Sequence, residues 1–235
     1  MKLALITGGS RGLGLALCNE YTHRDYHVIE YSRGAPHPYS VSVDLANPEA
    51  TQEIIASSLE ALPRNGYEEI LVISNAGTLD PIGPSSKKPV DRVLANLNIN
   101  LSSPIVALST IMAHFQEVPC RKVVAAISSG AARKRLAGWS LYCAAKAGME
   151  AYIETLTLEQ NRANTSFIPV IIDPGVIDTE MQAAIRSSEP EDFPEVERFR
   201  RRKVEGGLAS PKAVAEAIAA ILSRRNLTGG NRYEV

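Results

Sequence analysis

The sequence contains few of the residues that cross-link a chain, bind metals or anchor it in a membrane. Among 235 residues there are three cysteines and four histidines, and neither type has the spacing of a metal site. The odd number of cysteines predicts reduced thiols in a cytoplasmic protein and no disulfide framework. No apolar run approaches the ~20 residues of a membrane helix, so we expect no membrane partner.

An excess of charge of either sign is also missing. Lysine and arginine total 25, aspartate and glutamate total 26, and the formal net charge is −1. A nucleic-acid or membrane-surface protein needs a basic excess, so neither partner is expected. The one basic run, Arg198 to Lys203, has acidic residues on both sides and is typical of a solvated face. This composition favours a globular enzyme with a small-molecule substrate.

Short apolar runs that alternate with longer helical patterns indicate the architecture. Several runs are apolar without alternation, as in parallel strands covered on both faces. Strands are predicted at Leu3–Thr7, His27–Ser32, Ser40–Asp44, Ile70–Ser74, Lys122–Ser128, Ser166–Asp173 and Arg232–Val235. Helices are predicted at Leu13–Thr22, Pro48–Leu62, Val90–Phe115, Ser140–Gln160 and Pro211–Arg224. With no repeat and no dividing linker, residues 1–235 are predicted to form a single-domain, doubly wound α/β Rossmann fold, whose central parallel sheet of about seven strands has helices on both faces.

Two segments depart from this regular pattern. Arg33–Tyr39 must join two parallel strands with fewer residues than the dozen or so that such a crossover normally takes. Either a compact loop crosses the sheet edge there, or one of the two strands is wrongly predicted. Between residues 178 and 207 the pattern weakens, with many charges and two prolines. We predict a substrate-binding flap at 178–207, and an irregular surface excursion is the alternative.

A glycine turn follows the first predicted strand. The segment "TGGSRGLG", Thr7–Gly14, runs directly into a predicted helix. Gly8, Gly12 and Gly14 permit a tight turn, a close approach to a pyrophosphate and close packing of helix on strand, while the helix N-terminus offers N–H groups to the anion. A glycine cluster alone is a weak signal, but between a strand and a helix it predicts a dinucleotide site.

The end of the second predicted strand indicates which dinucleotide binds. A carboxylate there accepts from the ribose 2′-OH of NAD, whereas arginine suits the 2′-phosphate of NADP. Here Ser32 takes the place of the acid, Arg33 follows it, and Arg11 in the glycine turn adds a second guanidinium. Two guanidinium forks suit a dianionic phosphate. We therefore predict NADP(H), with Glu30 as the residue that would instead favour NAD(H).

Tyr142 and Lys146 are four residues apart in a helical pattern and so share one helix face. A free tyrosine has a pKa near ~10, and we expect the Lys146 ammonium and an oxidised nicotinamide to lower the pKa of Tyr142 towards ~7. Tyr142 would then give a proton to a substrate carbonyl oxygen. Ser129, at a predicted strand end, is the candidate to hold that oxygen, with Ser128 as the adjacent alternative. The pair alone is typical of a helix surface; with Ser129 and the glycine turn it indicates an active site.

These motifs together resemble the short-chain dehydrogenase/reductase family, and the resemblance spans essentially the whole chain. The family's cofactor turn matches the glycine turn, its Asn-Ala-Gly motif matches "NAG" at 75–77, and its Ser, Tyr and Lys match Ser129, Tyr142 and Lys146. The resemblance implies a Rossmann fold and oxidoreductase activity with a nicotinamide cofactor.

The family's fourth catalytic residue is a helix asparagine that holds a proton-relay water. The stretch "NLNINLSSP" offers Asn96, Asn98 and Asn100. The family pattern of Asn followed by Leu and a small polar residue matches Asn100. The resemblance therefore implies the catalytic set Asn100, Ser129, Tyr142 and Lys146.

The resemblance also implies a cofactor-binding set. In "DPGVIDTEM", 173–181, the backbone of Ile177 would meet the nicotinamide carboxamide and Thr179 would approach the pyrophosphate, while Asp44 and Leu45 would flank the adenine. The full set is Gly8, Ser10, Arg11, Gly12, Leu13, Gly14, Ser32, Arg33, Asp44, Leu45, Asn75, Ala76, Gly77, Tyr142, Lys146, Pro174, Gly175, Ile177 and Thr179.

Within the family, residues 100–115, 138–148 and 177–182 are similar to segments of sepiapterin reductases and of the related bacterial reductases that act on benzil. That subgroup reduces adjacent carbonyls with NADPH. Sepiapterin reductases hold the pterin with an acidic residue near the carboxyl terminus, where this chain has only Glu234. The implied substrate pocket consists of Ser129, Leu136, Trp139 and Met181; simple packing at the helix start is the alternative for Trp139.

We therefore expect an NADPH-dependent carbonyl reductase acting on a small ketone or 1,2-dicarbonyl. The alternative is a 3-oxoacyl carrier-protein reductase or another alcohol dehydrogenase of the family, for which Arg133–Arg135 offer a basic docking patch. A non-catalytic NADP(H) sensor is a third hypothesis, disfavoured by the intact catalytic set. The helices Val90–Phe115 and Ser140–Gln160 are expected to pair across a two-fold axis in a homodimer or homotetramer.

Overall fold

The computed structural model describes residues 1–235 and contains one parallel sheet of seven strands. The strands are β1 (Lys2–Thr7), β2 (Tyr26–Ser32), β3 (Ser40–Ser42), β4 (Glu69–Ser74), β5 (Arg121–Ile127), β6 (Ile168–Asp173) and β7 (Arg232–Glu234). Their order across the sheet is β3-β2-β1-β4-β5-β6-β7. The winding reverses between β1 and β4, and ligands bind beyond the carboxyl ends of the strands beside such a reversal.

Helices cover both faces of the sheet. They are α1 (Gly12–His23), α2 (Pro48–Glu60), α3 (Val90–Leu97), α4 (Ser103–Phe115), α5 (Ser140–Gln160), α6 (Glu180–Arg186), α7 (Val196–Val204) and α8 (Pro211–Leu222). Along β1, Leu3 and Leu5 join the core under α2, α4 and α5, whereas Ala4 and Ile6 join the core under α1 and α8. A strand buried on both sides has no need of polar alternation. The predicted doubly wound Rossmann class is confirmed.

The prediction of one helix over Val90–Phe115 is wrong. The chain winds as α3, then as one π-helical turn over Asn98–Ser102, and then as α4. Pro104 has no backbone N–H, so the ordinary helical bond from residue 104 to the Asn100 carbonyl cannot form. The helix widens at that point, and π-helical turns of this kind occur frequently at functional sites.

The short connection Arg33–Tyr39 is a compact loop across the sheet edge, and both flanking strands are present. β3 pairs with β2 in parallel, with Ser40 opposite Glu30. β3 is shorter than predicted and ends at Ser42, because the chain turns towards α2, where Asn47 caps the helix by accepting from Ala50 N at 3.1 Å.

The segment 178–207 contains α6 and α7 and is more regular than its sequence indicates. It packs onto the rest of the chain through Phe193 and Val196, both fully buried. None of the chain's helices combines the length with the apolar character that spanning a membrane requires.

Candidate active site

The glycine turn joins β1 to α1 at the carboxyl edge of the sheet. Gly8 and Gly12 have φ of 72° and 55°, a conformation that residues with side chains rarely adopt. A Cβ on Gly14 would collide with the Gly8 carbonyl oxygen. Arg11, at the N-cap of α1, makes no side-chain hydrogen bond to the first-turn N–H groups. These N–H groups and the helix dipole fit the pyrophosphate of a dinucleotide.

The loop after β4 holds the glycine turn in place. The backbone N–H groups of Asn75 and Ala76 donate to Thr7 Oγ1 at 3.0 and 3.1 Å. The Asn75 side-chain amide donates to the carbonyl oxygens of Thr7 and Gly8 at 3.0 and 3.1 Å. Gly77 follows, and a Cβ there would lie 3.1 Å from Asn100 Oδ1. The Asn-Ala-Gly motif therefore connects the cofactor turn to the π-helical turn.

Glu30 is fully buried beneath the glycine turn. Its carboxylate accepts from Gly9 N at 2.8 Å, from Ser32 Oγ at 3.1 Å and from Ser40 Oγ at 2.6 Å. All three partners belong to the protein, so this carboxylate supports the turn and the β2–β3 edge. It does not present a free acceptor to a ribose, while Arg33 at the end of β2 is exposed.

Arg11 does not lie beside Arg33, where a second guanidinium for the 2′-phosphate is expected. Its guanidinium forms an ion pair with Glu180 in the first turn of α6, and both side chains are largely exposed. The structure therefore does not assign Arg11 to the adenine side beside Arg33, because its charge is directed towards the segment 178–207.

Several other residues of the implied cofactor set are either buried in the core or placed at its edge. Leu13 and Leu45 are buried core residues. Asp44 is exposed and accepts from Ala46 N at 3.0 Å, and Ser10 is half-buried in the glycine turn. The side chains of Leu13 and Leu45 are thus occupied by packing, which leaves only their main chain to face a cofactor.

The segment after β6 returns past the glycine turn. Pro174 is buried and Gly175 is exposed with φ of 69°. Ile177 forms an isolated parallel bridge with the loop before α8. The methyl group of Thr179 lies 3.4 Å from the position of a Cβ on Gly12. Thr179 therefore borders the turn that fits the pyrophosphate.

Ser129, Tyr142 and Lys146 meet at the carboxyl end of β5. Ser129 follows the strand and caps the short helical turn after it by accepting from Ala131 N at 3.2 Å. Its hydroxyl lies near the Tyr142 phenol and lowers the pKa of that group, against the effect of burial. Lys146, one turn along α5, donates to the Ile127 carbonyl oxygen at 2.8 Å and lies 5.6 Å from the centre of the Tyr142 ring.

Asn100 faces the same region from the π-helical turn. Its side chain accepts from Thr78 N at 2.9 Å and donates to Thr78 O at 2.8 Å and to Asn96 O at 2.9 Å. A cavity of about 10 Å³ lies between Asn100 and Lys146, enclosed by β4, β5 and α5. That volume suits one water molecule.

The expected lowering of the pKa of Tyr142 includes the effect of an oxidised nicotinamide, and in the chain by itself this pKa is raised. Burial raises the pKa of Tyr142 to about 12, and the nearby Ser129 hydroxyl only partly opposes this effect. Burial also lowers the pKa of Lys146 to about 8, against the attraction of Glu150. Both shifts have the same cause, because a dry site disfavours the charged form of each group.

An aromatic wall closes the site on the side of the segment 178–207. Trp139 stacks on Phe193 with 4.7 Å between ring centres and 4° between planes, and it meets the Tyr142 ring edge-on at 5.8 Å. Phe199 packs against both Trp139 and Phe193, at 5.5 and 5.4 Å. Leu136 and Met181 are partly buried against this cluster. The sequence analysis missed Phe193 and Phe199, although they are the only aromatic residues in an otherwise charged stretch.

A second group that the sequence analysis missed lies behind Ser129 and Lys146. Glu150, Asp173 and Arg232 are largely buried and joined by two ion pairs through the Arg232 guanidinium. The one available sequence signal was Glu150, which follows Lys146 by four residues on the same helix face. Arg232 is distant in sequence and reaches the site only through the pairing of β7 with β6.

The fold and this site define a dinucleotide-dependent oxidoreductase that acts on CH–OH and C=O groups. The chain belongs to the short-chain dehydrogenase/reductase family, whose short chain dehydrogenase model matches residues 2–190. It is 32% identical over 240 residues to the benzil reductase ((S)-benzoin forming) of Bacillus subtilis strain 168, which covers 100% of this chain and 98% of that protein.

Two further comparisons agree with this membership. The sepiapterin reductase of Bos taurus is 28% identical over 256 residues, covering 97% of this chain and 92% of that protein. The crystal structure of the KRED1-Pglu enzyme matches with a TM-score of 0.83 and 25% identity, over 99% of this chain and 100% of that one.

Proposed function

We propose that the protein is an NADPH-dependent carbonyl reductase whose substrate is a small, largely apolar 1,2-dicarbonyl. The observation that carries the proposal is the meeting of Ser129, Tyr142 and Lys146 at the carboxyl end of β5, with the Lys146 ammonium 5.6 Å from the centre of the Tyr142 ring and the aromatic wall beside it. Benzil, which gives the Bacillus subtilis relative its name, has two adjacent carbonyl groups, and this supports the choice of substrate class.

The protein's own residues supply a proton path. Tyr142 donates its phenolic proton to the substrate oxygen, and Ser129 donates a hydrogen bond to the same oxygen. Lys146 stabilises the resulting phenolate with its ammonium. The cavity between Lys146 and Asn100 has room for one water that returns a proton towards Tyr142. When bound, the nicotinamide supplies the hydride for the carbonyl carbon.

The choice of NADPH rests on the end of β2. Glu30 is engaged by three protein donors, and Arg33 presents an exposed guanidinium next to Ser32. A guanidinium fork suits the 2′-phosphate, whereas the 2′-OH of NAD calls for a free carboxylate. The glycine turn and Thr179 would hold the pyrophosphate.

The preference for a second carbonyl rests on an unpaired donor in the aromatic wall. Trp139 is only 6% exposed, and its Nε1–H has no acceptor in the chain. A buried donor without a partner costs about 1–3 kcal/mol. A carbonyl oxygen next to the reacting carbonyl would accept from it, while the faces of Trp139 and Phe199 would contact apolar substituents. The segment 178–207 would act as the substrate-binding flap.

Tyr142→Phe tests the proposal. It removes only the phenolic oxygen, so turnover of a 1,2-diketone should fall by at least a thousandfold while NADPH binding stays near that of the unaltered protein. NADPH oxidation, followed with diketones, simple ketones, sepiapterin and an acyl thioester, separates the dicarbonyl class from an acyl-carrier substrate. Retention of most activity by Tyr142→Phe, or preference for the thioester, would contradict the proposal.

We also propose that the protein forms a homo-oligomer through α3 and α5. Val90 and Leu94 on α3 are 74% and 54% exposed, and Leu158 near the end of α5 is 66% exposed. Exposed apolar residues on two neighbouring helices are typical of an interface between copies. Light scattering of the purified protein distinguishes a monomer from a dimer or tetramer.

A further inference from the structure

The charged group behind Ser129 joins three of the elements that carry proposed site residues. The Arg232 guanidinium, 7% exposed, forms ion pairs with Glu150 on α5 and with Asp173 at the end of β6. It also approaches the Ser129 carbonyl oxygen at 3.4 Å. One side chain on the last strand therefore contacts α5, the end of β5 and the end of β6.

Each contact ends close to a residue of the proposed mechanism. Glu150 accepts from Ser128 Oγ at 2.6 Å, next to Ser129 in sequence. Asp173 accepts from Gly175 N at 3.1 Å, at the start of the segment that borders the glycine turn. Glu150 and Lys146 share one face of α5 and line the same small cavity.

The charges of this group balance. Lys146 and Arg232 carry two positive charges, and Glu150 and Asp173 carry two negative charges, all on buried or nearly buried side chains. Arg133 approaches Glu150 at 3.5 Å from a side chain that is 60% exposed. The titratable and charged groups around Lys146 come from several elements. Its own helix contributes Tyr142 and Glu150. The other elements contribute Arg133 after β5, Asp173 on β6 and Arg232 on β7, whereas Asn100 on the π-helical turn is neutral.

From this geometry we propose that Glu150 and Arg232 are positioning residues for the reaction, a buried ion pair that fixes the Ser129 end of β5 against α5 and keeps Lys146 charged. The proposal rests on the catalytic set given above. Stability alone does not account for the pair, since a buried ion pair of this kind contributes little net stability compared with apolar packing.

The effect on Lys146 has a definite sign. Burial lowers the pKa of Lys146 to about 8, and the Glu150 carboxylate opposes that shift. A lysine with a lowered pKa loses its proton as the pH rises, so the activity that depends on the ammonium should fall near that value. Without the negative charge of Glu150 the fall should occur at lower pH.

Glu150→Gln is the first test, because it keeps an acceptor for Ser128 and removes the charge. We measure kcat/KM for a 1,2-diketone at saturating NADPH across the neutral and alkaline range. The midpoint of the alkaline fall should move down by about one pH unit. A folded variant with an unchanged midpoint would overturn the proposed effect on Lys146.

Glu69→Gln is the matched control. Glu69 also forms a partly buried ion pair, with Arg121, but at the amino ends of β4 and β5, away from the site. The Glu69→Gln variant should lose a comparable amount of stability, while the midpoint of its alkaline activity fall should stay that of the unaltered protein. A shift of the midpoint in this control as large as in Glu150→Gln would show that the profile reports stability, and would likewise overturn the proposal.

Arg232→Lys is the second test and remains decisive if Glu150→Gln does not fold. It keeps the charge but cannot reach two carboxylates and the Ser129 carbonyl together, because an ammonium lacks the fork of the guanidinium. We expect kcat to fall about tenfold, with KM for NADPH little changed. Activity within twofold of the unaltered protein would refute the positioning role. Tyr142→Phe is assayed alongside these variants. An active Tyr142→Phe would refute the catalytic set on which the inference rests. If Tyr142→Phe is inactive while Glu150→Gln and Arg232→Lys behave like the unaltered protein, only the positioning role is refuted.

Discussion

Glu30→Ala removes the carboxylate on which the glycine turn rests. Three donors lose their acceptor at once, namely Gly9 N at 2.8 Å, Ser32 Oγ at 3.1 Å and Ser40 Oγ at 2.6 Å. A hydrogen bond to a charged acceptor contributes about 1.5–3 kcal/mol, and losses within one network are not additive. The hydroxyls can turn to new partners, but the buried Gly9 N–H cannot. We expect the free energy of unfolding to fall by about 3–5 kcal/mol.

Urea unfolding followed by circular dichroism measures this loss. Glu30→Gln keeps an oxygen for Gly9 N and offers an amide to the two serine hydroxyls, so it should lose only about 1–2 kcal/mol. Glu53→Ala, at an exposed position of α2, should stay within about 0.5 kcal/mol of the unaltered protein.

The competing role for Glu30 is contact with the ribose of NAD. In that case Glu30→Ala would weaken NADH binding selectively and cost less than about 1 kcal/mol of stability. That outcome would refute both the supporting role of Glu30 and the argument from it for NADPH. The ratio of NADPH to NADH affinity, measured on the folded fraction of each variant, distinguishes the two roles.

Two further changes test the cofactor turn and the aromatic wall. In Gly14→Ala the added methyl group meets the Gly8 carbonyl oxygen, so α1 must move away from β1. The affinity for NADPH, measured by fluorescence titration, should therefore fall about tenfold or more. An affinity equal to that of the unaltered protein would contradict the close packing of α1 on β1. Trp139→Phe keeps the stack on Phe193 but removes the unpaired N–H, so kcat/KM should fall about tenfold for a 1,2-diketone and hardly at all for a monoketone of similar size. Equal losses on both ketones would refute the donor role.

The fold could be predicted from the sequence because its signals are local. Apolar runs without alternation mark strands buried on both faces, and the glycine turn has a spacing that few other structures need. The prediction failed where the backbone departs from a regular period. Val90–Phe115 has a continuous helical pattern, and only Pro104 indicates that one helical bond within it is missing.

The candidate site was predictable to the same extent. Tyr142 and Lys146 are four residues apart, and Ser129 lies just beyond the end of a strand, so each has a local signal. Phe193 packs on Trp139 from a segment with no clear period, and Arg232 joins Glu150 from 82 residues away. Contacts of that kind depend on which strands become neighbours, and a single sequence carries no direct record of them.

The pKa of Tyr142 also could not be predicted from a local pattern, because it depends on how deeply the folded chain buries the phenol. The Lys146 ammonium and an oxidised nicotinamide together predict a lowered pKa for Tyr142, but in the chain by itself burial raises that pKa to about 12. Burial also lowers the pKa of Lys146, whose ammonium donates to the Ile127 carbonyl oxygen. A tyrosine with this pKa keeps its proton throughout the neutral range. That state is the one required of a proton donor to a carbonyl oxygen, which agrees with the role proposed for Tyr142 in carbonyl reduction. Alcohol oxidation needs the phenolate, and a further positive charge near the Tyr142 oxygen would have to stabilise it.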